Sequence, residues 1–400
     1  MLEYLLLPAV VLGAAFIPKK KMNDLQKINA VFENCKYGIQ KGDKMKFPTL
    51  HQKEHKDIYS IYVYYLPLGL SSEGVVSLLP AIEEALRKEI EYEFEDGMLK
   101  LYVYNQKLPE RWNWSDELVK EGQWLCPIGK NHKGVFFHDF DKYPHMLTGG
   151  VTRYGKTVFL KNILASLMLN NPDDVEIYIL DLKGGLEFHK YLKFRQVKGV
   201  ACDVVEAAEM LFDITQRIKA DEVLFRSQGY TNIVDTPIKK RTFIIVDEAA
   251  ELSPSVVKDK ELKKFAELAQ SCLSEIARIS GGLGYRLILS TQYPVKEAVP
   301  MAVKANIVAR VAFICTSNVA SRVLLDSVGA EDLPSIPGRC IYLIEKQRIV
   351  QVPFLDDLTL MRKVEENERA RKNGTNIVDG GPIRDVYDSA TSDNTRIKEL

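Results

Sequence analysis

From Asp57 the hydrophobic positions of this chain fall into order. Ile58-Tyr-Ser-Ile-Tyr-Val-Tyr-Tyr-Leu66 is aromatic and β-branched, which predicts a strand. Ser72 to Glu91 follows with Val75, Leu78, Leu79, Ile82 and Leu86 at helical spacing, interrupted by Pro80, which predicts a helix bent at that point. Two alternating runs then flank Asp96-Gly97 between Glu91 and Tyr104, a hairpin signal. Residues 57–110 therefore read as a small α+β module. Between about Leu125 and Phe354 short apolar runs at 175–181, 242–247, 286–291, 307–313 and 339–345 alternate with helical stretches. Such alternation predicts an α/β domain over 120–354, with a mostly parallel sheet covered by helices. Residues 22–56 are polar and Lys-rich and read as a linker; residues 355–400 read as a polar tail holding one helix over 357–371.

The N-terminus adds a separate signal. Leu2 to Ile17 is apolar and runs into Pro18-Lys19-Lys20-Lys21. It is slightly short for a bilayer, which asks for about 20 residues. The lysines behind it would hold the following chain in the cytoplasm. Residues 1–21 are thus expected to anchor the protein in the cell membrane by a single pass, with the large domain in the cytoplasm. A buried or interfacial helix is one alternative. A cleaved signal peptide is another, although its positive charge should precede the apolar run, where only Glu3 stands.

Charge and cysteine usage narrow the class. The 54 Lys and Arg balance 54 Asp and Glu, so overall charge gives no push toward nucleic acid, and any contact with it must come from a local patch. The six cysteines are scattered without a C-x-x-C pair, which argues against a zinc site and a disulfide framework.

Chemistry is concentrated in a few strand ends. Gly150-Val151-Thr152-Arg153-Tyr154-Gly155-Lys156-Thr157 fits G-x-x-x-x-G-K-[ST], with apolar residues before it and a helical run after it. Glycines let backbone N–H groups turn inward around phosphate, and a helix N-terminus favours an anion. Lys156 can reach the β- and γ-phosphates of ATP, and the Thr157 hydroxyl can bind Mg²⁺. About 90 residues on, Thr242-Phe-Ile-Ile-Val-Asp247-Glu248 ends an apolar run in two acids. Asp247 would serve the Mg²⁺ ion and Glu248 would act as general base on the attacking water. Leu287-Ile-Leu-Ser-Thr-Gln292 is a further strand with a polar end, and Gln292 is placed to sense the γ-phosphate. Asp181-Leu-Lys183-Gly-Gly185 ends another strand, and there a support for the site and a mere charged turn remain equally open.

These residues, with Pro144-His145, Leu224-Phe-Arg226, Gly229-Tyr230, Ala277-Arg278, Val303-Lys304-Ala-Asn306, Ala309-Arg310, Ser321-Arg322, Gly329-Ala-Glu331 and Pro337-Gly338-Arg339, resemble the FtsK/SpoIIIE family of DNA translocases over about 120–353. The resemblance implies a RecA-like P-loop motor that hydrolyses ATP with Mg²⁺, a homo-hexamer around double-stranded DNA, and an arginine reaching in from a neighbouring subunit. Arg278 is the first choice for that arginine and Arg310 the second. Family P-loops often carry small residues where Arg153-Tyr154 stand, and Gly281 stands where a second arginine is common. Residues 57–109 are similar to what precedes the motor in members from mobile elements, which couple DNA to transfer. A relaxase or other transfer machinery is then an expected partner. No winged-helix module for reading DNA follows the motor, so sequence-directed movement is not expected. The competing reading is a protein-secretion ATPase, which a single P-loop disfavours.

Overall fold

The computed structural model describes residues 22–375, apart from Lys296. The apolar run at 2–17 and the last part of the tail lie outside the described residues. Among the described residues no helix is long and apolar enough to cross a membrane. The described chain forms two compact units, divided between Pro109 and Glu110.

Residues 22–56 are not a linker. They supply helix α1 (Asp24–Asn34) and strands β1 (Ile39–Lys41), β2 (Lys44–Lys46) and β3 (Thr49–His55). The polar composition hid two local signals. Asn23 and Gln26 form a reciprocal capping box at the start of α1. Ile28, Val31 and Phe32 then line up on one face and enter the core of the first unit. That core is completed by β4 (Tyr59–Tyr65), α2 (Ser72–Leu86), β5 (Ile90–Glu95) and β6 (Met98–Tyr104). The sheet order is β3-β4-β6-β5, antiparallel throughout. Between β5 and β6, Asp96 (φ 50°) and Gly97 (φ 74°) both take left-handed backbone, as a two-residue hairpin turn of this hand requires.

The second unit is built on a 10-stranded sheet. Its elements run β7 (Leu125–Asn131), β8 (Gly134–Asp139), β9 (Met146–Gly149), α3 (Lys156–Asn170), β10 (Val175–Leu180), β11 (Val197–Ala201), α4 (Val204–Gln228), β12 (Arg241–Val246), α5 (Lys260–Ile279), β13 (Tyr285–Thr291), α6 (Met301–Lys304), β14 (Ala309–Phe313), α7 (Asn318–Leu325), β15 (Arg339–Leu343), β16 (Gln347–Gln351) and α8 (Asp357–Thr375). In space the order is β11-β10-β12-β13-β9-β14-β15-β16-β7-β8. The first six are parallel; the last four join antiparallel. Two of the antiparallel pairings follow from chain length. The three residues between β15 and β16, and the two between β7 and β8, can only close a hairpin.

The central strands are buried on both faces, which is why they read as continuous Ile/Val/Phe runs rather than alternating ones. In β12, Phe243 and Ile245 pack toward α3, while Ile244 and Val246 join α4 and α5. The helix expected in the tail is α8, and it belongs to this unit. Leu360 and Val364 are in its core, and Asp357 pairs with Lys161 of α3 (2.9 Å) and with Lys190 (2.5 Å).

Candidate nucleotide site

Strand β9 delivers the chain to the phosphate loop from the middle of the sheet, between β13 and β14. The loop is pinned to both neighbours: Gly150 N–H donates to the Thr291 carbonyl (3.2 Å) and Val151 N–H to that of Ile314 (3.0 Å). Gly155 takes φ 105°, and a Cβ there would come within 2.8 Å of the Gly338 backbone nitrogen. Only glycine fits that conformation and that approach. Arg153 also has positive φ, 70°, with its side chain exposed, so this family departure is absorbed by a left-handed turn. Helix α3 starts at Lys156 with no side chain capping it, which leaves its N-terminus for an anion.

Sheet order decides what faces this loop. Strand β13 lies between β9 and β12, so its end stands between the loop and the acidic pair at the end of β12. Lys156 Nζ donates to the Asp247 carbonyl at 2.7 Å and sits 3.3 Å from its carboxylate. Both side chains are almost fully buried. Burial lowers the Lys156 pKa, while the carboxylates of Asp247 and Glu248 work against that shift. Glu248, with 0% exposure, accepts hydrogen bonds from the Thr291 hydroxyl (2.7 Å) and from the backbone N–H of Gln292 (2.9 Å). The Gln292 side chain lines the same cavity as Thr152, Arg153, Gly155, Lys156 and Thr157.

The 181–185 segment divides its labour between the two readings left open. Asp181 shapes the turn, accepting from the N–H groups of Glu187 (2.9 Å) and Phe188 (2.8 Å). Lys183 instead reaches the site and pairs with Glu248 at 3.5 Å. It holds a carboxylate that is otherwise surrounded by protein. Lys183→Met is expected to lower kcat for ATP about tenfold with KM unchanged, measured by steady-state hydrolysis. The effect is modest because the pair is long and Lys183 is one third exposed. A raised KM with unaltered kcat would place Lys183 on the substrate instead.

The two arginines do not meet this cavity. Arg278 lies in the last turn of α5, exposed and without an ion pair among the described residues. Arg310, on β14, is engaged within the chain by Asp326, which also pairs with Lys304 at 2.5 Å. Among the described residues no cluster of three or more His, Cys, Asp or Glu could hold a metal ion. Thr157 and Asp247 offer two oxygen donors, which suits Mg²⁺ that takes its remaining ligands from phosphate and water.

Reading the sequence missed the rest of the cavity wall, at 110–112, 335–338 and 351–354. No periodicity marks these segments. Only Pro337-Gly338-Arg339 had drawn notice, through the family resemblance.

A strand set between the phosphate loop and the acidic strand end, with the loop lysine paired to the first of the two acids, is the arrangement of the P-loop ATPase class on a mostly parallel α/β sheet. Within that class, residues 119–242 match the model of the FtsK/SpoIIIE family. The chain is 28% identical over 264 residues to the DNA translocase FtsK of Oceanobacillus iheyensis, covering 63% of this chain and 33% of the relative. It is 27% identical over 254 residues to the DNA translocase SpoIIIE of Bacillus subtilis, covering 58% and 31%. The chain thus spans about a third of the length of these curated relatives. Among solved structures, the pCW3 conjugation coupling protein TcpA, a monomer form with ATPγS, matches with TM-score 0.63 at 23% identity, over 86% of this chain and 98% of that one. The cytoplasmic domain of the type VII secretion ATPase EccC of Thermomonospora curvata matches with TM-score 0.53 at 21% identity, over 64% and 33%. Both likenesses show the fold.

Proposed function

We propose that this chain is an ATP-driven DNA translocase that couples DNA to a transfer process. The observation that carries this reading is the contact of Lys156 with Asp247 beside a fully buried Glu248, in a domain whose relatives are DNA translocases. Lys156 pairs with Asp247 within the chain. A triphosphate on the loop would draw the ammonium to its β- and γ-oxygens and release the Asp247 carboxylate. Mg²⁺, bound through Thr157 and Asp247, would supply positive charge against the phosphates. Glu248, kept in place by Thr291, Gln292 and Lys183, would take the proton of the attacking water, and Gln292, which lines the same cavity as Lys156 and Thr157, would sense the γ-phosphate.

The partners belong to this proposal. DNA as the substrate is supported by the relatives named DNA translocases, and double-stranded DNA and a homo-hexamer are what the resemblance to that family implies. Exposed Arg278 is the side chain free to serve a neighbouring copy. A relaxase or transfer machinery remains the partner that the resemblance to coupling proteins of mobile elements implies. Membrane attachment rests on the apolar run at 2–17 and the lysines behind it.

Duplex DNA is expected to stimulate ATP hydrolysis by the purified chain severalfold. DNA affinity should fall steeply between about 50 and 200 mM salt as phosphate contacts release counterions. Turnover indifferent to DNA, combined with binding of an exported peptide, would favour a secretion ATPase.

A further inference from the structure

The cavity over the phosphate loop has a volume of about 650 Å³, larger than a triphosphate needs, and its two sides differ in chemistry. One side is the loop itself with Lys156, Thr157 and Gln292. The other is mostly carbon: Trp112, Ile336, Pro337, Val352, Pro353 and Phe354. A wall of that kind cannot replace the hydration of a phosphate. It suits the flat, weakly polar ring that a nucleotide carries at the far end of its phosphates.

Two features make the wall specific. Phe354 remains 39% exposed, and the Arg111 guanidinium carbon lies 4.2 Å from its ring centroid. A base entering the cavity therefore meets an aromatic ring and a guanidinium plane, both of which stack on nucleobases. The wall is also fixed in place beforehand. Phe354 N–H donates to the Trp112 carbonyl (2.6 Å), and Trp114 N–H to that of Phe354 (3.0 Å). Asn162 of α3 donates from Nδ2 to the Pro353 carbonyl at 2.6 Å. Val352 N–H donates to Gly338 and Gly338 N–H to Tyr154, each at 2.8 Å, so the wall is tied to the phosphate loop. Gln351 does not read base edges, because its Oε1 accepts from Arg339 and its Nε2 donates to Pro337.

We propose that the Phe354–Arg111 pair is the stacking platform for the base of the nucleotide whose phosphates sit on the 150–157 loop. This rests on the phosphate-loop reading and adds the residues that distinguish a nucleotide from a bare triphosphate. Rigid stacking on a prearranged surface costs little ordering entropy.

The test compares a non-hydrolysable ATP analogue with inorganic tripolyphosphate, both with Mg²⁺, by calorimetry on the full chain. The analogue is expected to bind the unaltered protein at least about tenfold tighter than tripolyphosphate. Phe354→Ala should remove that advantage and leave tripolyphosphate affinity unchanged, which also shows the loop still folded. Phe354→Tyr should restore it. Unchanged analogue affinity in Phe354→Ala, or an equal loss for both ligands, overturns the platform. Absence of binding of either ligand to the unaltered protein would instead overturn the phosphate-loop reading, and the platform with it.

Discussion

Lys156→Ala is expected to reduce kcat/KM for ATP by about 10³-fold or more. In the proposed mechanism the Lys156 ammonium, almost fully buried at the start of α3, follows charge from the β- to the γ-phosphate, and a preorganised donor of this kind carries about 10²–10³ in rate. On the proposed reading Lys156 also brings nucleotide onto the loop, so binding is expected to fall together with turnover. A second consequence follows from its burial. Lys156 and Asp247 side chains are 3% and 2% exposed, and removing the cation strands a buried carboxylate. Breaking a buried pair in this way costs about 3 kcal/mol of stability. Urea melting in parallel with the ATPase assay separates the two effects. Turnover within tenfold of the unaltered protein, from a folded variant, would remove the phosphate loop from the mechanism.

Glu248→Gln gives the complementary result: nucleotide is held but not cleaved. The amide is nearly isosteric, and its oxygen can still accept from the Thr291 hydroxyl and the Gln292 N–H, so the geometry of the site survives. What disappears is the proton acceptor, whose contribution in general-base catalysis is about 10²–10⁴-fold. ATP affinity should be retained, and ATP should stay bound, uncleaved, through gel filtration. Single-turnover hydrolysis measures the chemical step directly. A rate within a few-fold of the unaltered protein would mean that another group activates the water. Carrying out both substitutions separates the roles, since Lys156→Ala empties the site and Glu248→Gln keeps it filled.

Much of this site is legible along the chain because its chemistry is local. The 150–157 loop is read by residue type and spacing, since backbone turns and a helix start do the work there. The acidic pair is legible once such a loop precedes it. The position of β13 between β9 and β12, which brings Thr291 and Gln292 onto Glu248, is not written at any single stretch. Nor is the fate of Lys183, whose loop reads equally well as a plain charged turn. Arg278 and Arg310 look alike by resemblance, and the fold parts them: one is exposed at a helix end, the other engaged by Asp326.

The amino-acid order alone determined the elements whose cause lies within a few residues. These are the hairpin at Asp96-Gly97, the buried Ile/Val strands, the phosphate loop and the acids behind its partner strand. Tertiary structure decided what depends on closure over long separations. The polar stretch at 22–56 folds because α1 finds a sheet to cover. The β7–β8 hairpin joins the large sheet because β16 returns beside β7, more than two hundred residues earlier. Phe354 lines the cavity over the phosphate loop because Trp112 and Asn162 hold the 353–354 segment there. A backbone turn is chosen by its own residues, whereas a wall is assembled only when distant segments meet, and no local pattern records that meeting.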